Sequence, residues 1–209
     1  MGTIVSVTQA KRTRMSPEQR RAQLIELGVT QLAGKHAADV SLDDVAEAAG
    51  VSRALVFHYF ESKQDFYVAV LREQSKRMLD RTEPDLDQDD PIVILRQSMS
   101  AYIDFVVEYR ESYVGLLRGG GAGADPSARE VVAATQSVMV ERVLGEAGRL
   151  SIVRTPAVEL AVRGWISFVE EVTIGWLKGA DLSREQLLDM ITNALPAIAA
   201  ATLLPSYKS

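Results

Sequence analysis

Apolar residues recur three and four apart along most of the 209-residue chain, the spacing that places them on one face of a helix. "SPEQRRAQLIELGVTQLAG" (16–34) opens with a capping box: Ser16 at the N-cap, Pro17 at the first helical position and Gln19 three residues on. Ile25, Val29 and Leu32 form an apolar ridge beside Leu24, Gly28 and Gln31, and Gly34 supplies a stop. In "SLDDVAEAAG" (41–50), Ser41 caps, Asp43 and Asp44 sit in the first turn, Leu42, Val45, Ala46 and Ala49 share a stripe, and Gly50 ends the run. Ser52 then caps a very short third helix, and Ser62 caps a fourth that runs from Lys63 toward Arg81.

Short helices joined by a tight Gly-Val-Ser connection have the shape of a helix-turn-helix. At ~100° per residue, Val51, Val56 and Phe60 turn toward the first two helices. Arg53 and Phe57 are left one turn apart on another face, with Ala54 and His58 next to them and Leu55 and Tyr59 on its flanks. Such a face suits the major groove: Arg53 has the donors to bond guanine bidentately, and His58 and Tyr59 can bond base edges or phosphates. Helix starts at Ser41 and Ser62 offer backbone N–H groups to phosphate, and Lys63 adds charge. A second reading stays open, in which the segment is a solvated helix whose Phe57, Tyr59 and Phe60 are all core.

Beyond residue 81, "RTEPDLDQDDP" reads as an acidic linker. Pro91 opens a helix through about Arg110, and a short helix and a glycine-rich connector follow. That connector follows no strand and lacks the Gly-Lys-Ser/Thr ending of a phosphate loop. Asp125-Pro126 starts another helix through about Gly148. From Pro156 to Lys178 apolar residues occupy nearly every side, and Glu185 to about Leu204 repeats the theme. A helix apolar all round must be covered all round. These last helices are therefore expected to meet their copies across a twofold axis as a four-helix bundle, through Ile166, Ile174, Leu187, Ile191, Leu195 and Ile198.

Charge divides the chain in the same way. The net charge is −5, but residues 1–81 carry +2 and residues 82–209 carry −7. Lys11, Arg12, Arg14, Arg20 and Arg21 make the first third the part suited to phosphates. Residues 1–15 form a flexible basic arm, either a solubilising tail or a segment that reaches DNA. There are no cysteines, which excludes disulfides and thiolate metal sites and fits a cytoplasmic setting. No apolar run approaches the ~20 residues of a membrane span, so no membrane partner is expected.

The stretch "SLDDVAEAAGVSRALVFHYFESKQDFYVAVL" resembles the DNA-binding domain of TetR-type bacterial transcriptional regulators, over about residues 16–72. Its most specific parts are "VAEAAGVS", the "FHYF" block and "SKQDF". The resemblance implies an all-α homodimer with a helix-turn-helix domain at 16–62. A helical effector-binding and dimerisation domain at 63–209 would follow, with 63–81 as the linking helix. It implies that Arg53 and Ala54 contact bases with Leu55 and His58 nearby, that Tyr59 and Lys63 grip phosphates, and that Ser52 is the cap. Two positions depart from the pattern: Phe57 stands where many members have Tyr, and Asp43 where several have a basic or neutral contact residue.

On this reading the protein is a ligand-responsive repressor that binds a palindromic double-stranded operator and is released by a small, mainly apolar effector. Tyr102, Phe105, Tyr113, Met139, Trp165 and Phe168 are the expected walls of the effector pocket, with Glu170, Glu171 and Arg163 as polar handles. The alternative is an effector-free helical DNA-binding or protein-interaction factor. An enzyme is not expected, nor a cofactor or metal. His36 and His58 have no partner at metal-ligand spacing, and neither a nucleophile elbow nor a phosphate loop occurs.

Overall fold

Local capping chemistry sets the boundaries of the nine α-helices seen among the described residues, which in this computed structural model are 15–33, 40–117, 125–149 and 152–203. The first four are α1 (Pro17–Ala33), α2 (Leu42–Ala49), α3 (Arg53–Tyr59) and α4 (Lys63–Arg81). The expected capping box closes reciprocally. Gln19 N donates to Ser16 Oγ at 3.2 Å, and Ser16 N donates to Gln19 Oε1 at 2.9 Å. Ser41, Ser52 and Ser62 each accept from a backbone N–H of the helix that follows. Gly50 ends α2 at φ +63°, where its N–H and that of Val51 turn back to the Glu47 and Ala46 carbonyls. That left-handed turn sets α3 across α2.

The remaining helices are α5 (Pro91–Glu108), α6 (Arg110–Leu117), α7 (Pro126–Arg149), α8 (Pro156–Leu177) and α9 (Arg184–Leu203). The basic arm up to Arg14 and the glycine-rich segment 118–124 lie outside the described residues. α8 and α9 pack along each other, α5 lies against α9, and α7 against α8. Trp165, 2% exposed, donates from its indole to the Ile191 carbonyl at 2.9 Å, tying α8 to α9. No described helix is long and apolar enough to cross a membrane.

α4 joins the two halves because it is apolar on both sides. Phe66, Tyr67, Val68, Ala69, Val70 and Leu71 are all buried in succession. One side packs on α1 and the other on α7, so a single apolar cluster runs from Leu24 to Ile191. The contact with α1 is made at Gly28. A Cβ built there would stand 2.5 Å from Val70 Cγ2 and 2.6 Å from Phe66 Cζ, closer than van der Waals contact allows. Phe66 also meets Phe60 edge to face, with ring centroids 5.0 Å apart, and the Arg21 guanidinium lies 5.0 Å over the Phe60 ring.

An alanine in place of a helical glycine normally gains up to about 1 kcal/mol. Here Gly28→Ala is expected to destabilise, by roughly 1–3 kcal/mol, because Val70 and Phe66 must move. Urea denaturation of the two proteins checks the sign.

Candidate DNA-binding face and effector cavity

The third helix presents the face that its spacing predicted. Val56 and Phe60 are buried, Val51, Leu55 and Tyr59 are half-buried, and Arg53, Ala54, Phe57 and His58 are exposed. Phe57, 41% exposed, is therefore not core. Ser52 N-caps α3, and Ser41, Ser62 and Lys63 mark the helix starts on either side of it. The His58 and Tyr59 rings meet edge to face with centroids 5.3 Å apart.

Arg53 is held by partners from two helices. Its Nη1 donates to both carboxylate oxygens of Asp43 on α2, at 3.1 and 2.8 Å, and its guanidinium lies 5.4 Å over the Phe57 ring. Both charged side chains are largely exposed, so the pair adds little stability. It does orient the arginine. Asp43 and Phe57, the two departures from the family pattern, thus act together as supports for Arg53.

A cavity of about 370 Å³ lies between α4, α5, α6, α7, α8 and α9, at the lower end of the ~300–1,000 Å³ usual for ligand sites. Of the expected walls, Tyr102, Phe105, Tyr113, Met139 and Trp165 line it, as does Glu170. Phe168 does not; it is half-buried and packs against the core elsewhere. Arg163 and Glu171 are exposed, and Arg163 pairs with Glu159 on its own helix. Sequence reasoning missed Gln74 and Met78 of α4, and Gln136 and Arg142 of α7. Gln74 is legible as a polar residue within an otherwise apolar stripe; the others carry no local signal.

Polar groups gather at one end of this cavity. Gln136 Nε2 donates to both Glu170 oxygens, at 2.8 and 3.0 Å. The Tyr102 and Tyr113 hydroxyls bond each other, and their rings are 6.1 Å apart at 74°. Burial holds the Glu170 carboxyl above its ordinary range, opposed by the Gln136 amide. Burial also pushes both phenols far up, and the charge of Glu170 adds to the effect on each. At the other end, Arg142 Nη1 donates to the Leu79 carbonyl at 2.7 Å and the Thr82 hydroxyl at 3.4 Å, closing the last turn of α4.

Two comparisons decide what this arrangement belongs to. Residues 24–70 match the family model of bacterial regulatory proteins, tetR family, and residues 91–197 match that of the tetracyclin repressor-like C-terminal domain. The chain belongs to the TetR family. A TetR-family transcriptional regulator from Streptomyces coelicolor superposes with a TM-score of 0.80 at 32% identity, covering 90% of this chain and 83% of that one. An uncharacterised HTH-type transcriptional regulator of Mycobacterium tuberculosis is 24% identical over 195 residues, covering 91% of this chain and 81% of that protein. The probable acrEF/envCD operon repressor of Escherichia coli is 28% identical over 101 residues, covering 47% of this chain and 46% of that protein. Like these relatives, the chain is a DNA-binding transcriptional regulator.

Within this TetR-family fold four of the six side chains expected at a twofold contact lie inside the chain itself. Ile166, Ile174, Leu187 and Ile191 are each 5% exposed or less, inside the chain's own core. Ile166 and Leu195 line the cavity instead, and Ile198 is half-buried. The physical reason is that α8 and α9 pack along each other and turn these side chains inward. What they leave outward is Leu160, Gly164, Ser167 and Glu171 on α8, and Gln186, Met190, Asn193 and Ala197 on α9. Leu160 is 71% exposed.

A charge at Ile191 is therefore expected to unfold the protein rather than to divide a dimer. Ile191→Asp should lower stability by roughly 3–5 kcal/mol, the scale of an uncompensated buried charge. A thermal melt followed by circular dichroism reads this directly; a well-folded variant with an unshifted melt would contradict the placement.

Proposed function

We propose that this protein is a homodimeric repressor that binds a palindromic operator and releases it when a small, mainly apolar effector fills the cavity. The observation that carries the reading is the double service of α4, which packs on α1 of the DNA-binding head and lines the cavity with Leu71, Gln74 and Met78. In this reading Arg53 reads a base, with Ala54, Leu55 and His58 beside it in the major groove. Ser41, Ser52, Tyr59 and Lys63 fix the helix on phosphates. The name of the Escherichia coli relative, an operon repressor, supports repression.

Two copies meet through the outward faces of α8 and α9. The exposed Leu160 and Met190 supply apolar contact there, and Gly164, Ser167 and Ala197 allow the helices to approach closely. Dimerisation supplies two copies of α3, set for half-sites one DNA turn or a multiple of it apart. The protein acts in the cytoplasm, where its operator lies.

A band-shift titration against the intergenic DNA beside the gene tests this, with unrelated DNA as competitor. Arg53→Ala is expected to weaken operator binding by ~1–3 kcal/mol and to relax base preference. Lys63→Ala is expected to weaken binding to all sequences alike and to flatten the salt dependence. Unaltered base preference in Arg53→Ala would remove that residue from the reading role. A single species of one-chain mass in light scattering would remove the dimer.

A further inference from the structure

The polar end of the cavity has a chemical sign. Glu170 is a largely buried carboxylate, and among the described residues no lysine or arginine pairs with it. Among the described residues its hydrogen-bond partner is the Gln136 amide, which spans both oxygens with a single nitrogen. A carboxylate has about four acceptor sites, so it retains capacity toward the cavity. Close enough to feel its charge stand the rings of Tyr102 and Tyr113, whose faces attract cations. Among the described residues the cationic side chain on the cavity wall is Arg142, and it is turned to the end of α4.

We infer that the effector carries a protonated amine, which seats against the Glu170 carboxylate among the Tyr102 and Tyr113 rings while its apolar body fills the space toward α4 and α5. An ammonium brings three donors and no acceptor, the complement of a carboxylate already holding one amide. It also relieves the cost of keeping Glu170 charged away from water, which burial raises. A carboxylate head placed there meets like charge, and a hydroxyl supplies one donor without compensating the charge. Leu71, Met78, Leu95 and Met99 offer the apolar body aliphatic and thioether contacts.

This assignment rests on the cavity being the effector site, and its test keeps the two apart. The wild-type protein is titrated with decylamine, decanol and decanoate by calorimetry, and again by tryptophan fluorescence, to which Trp165 in the cavity wall and Trp176 contribute. Decylamine is expected to bind roughly tenfold or more tightly than decanol, and decanoate more weakly than either. Glu170→Gln is expected to lose the advantage of the amine while keeping the affinity for decanol, which also shows that the variant is folded. Amine and alcohol binding alike in the wild-type protein, or decanoate binding best, overturns the amine assignment alone, whether or not the variant folds. Retention of the amine preference in Glu170→Gln overturns it as well. Failure of all three probes to bind overturns the effector reading of the cavity and this inference with it.

Discussion

The close approach of α1 to α4 over Gly28 is the constraint on which the rest of the molecule hangs. With no side chain at that position, Phe66 and Val70 lie directly on the backbone of α1. That contact fixes the head against α4 and lets Phe60 close the three-helix core from the other side. The same helix then has its opposite face available for α7 and for the cavity. A chain with α1 held further off would still form nine helices, but the head and the body would no longer share one core.

Ionic contacts reinforce this sharing in the C-terminal half of α4. Arg77, half-buried, bonds Glu26 on α1 and Glu73 on its own helix. One turn on, Arg81 bonds Glu108 of α5 and lies over the Phe105 ring, itself a wall of the cavity. Arg142, from α7, donates to the Leu79 carbonyl in the last turn of the helix. In the proposed reading, an occupant that presses on Gln74 or Met78 presses on a rod gripped at both ends. Packed helices of this kind respond by shifting between discrete arrangements rather than by bending smoothly.

Much of the fold was legible because it rests on local chemistry. Serine caps at Ser16, Ser41, Ser52 and Ser62, prolines at Pro91, Pro126 and Pro156, and the stop at Gly50 act within one turn of chain, so spacing alone locates them. The outward face of α3 was legible for the same reason, since seven residues of amphipathic helix have one apolar side. The twofold contact was not. Periodicity shows that α8 is apolar on most sides, but Ile166 and Ile174 satisfy that pattern equally well inside their own chain as against a partner. Phe168 failed for a related reason: a helix ridge one position away faces a different neighbour. The pairing of Asp43 with Arg53 was not legible, because the two lie ten residues apart on different helices, a distance over which spacing carries no information.

The shared core has a consequence for how such regulators can be recombined. A chimera that joins the head of one member to the body of another at Ser62 would leave each α4 facing an unfamiliar α1, where a single methyl group at the crossing is already too much. Placing the seam after Thr82 instead keeps the α1–α4 crossing intact and moves the mismatch to the side of α4 that packs on α7 and lines the cavity, where a change of shape also alters which molecule fits.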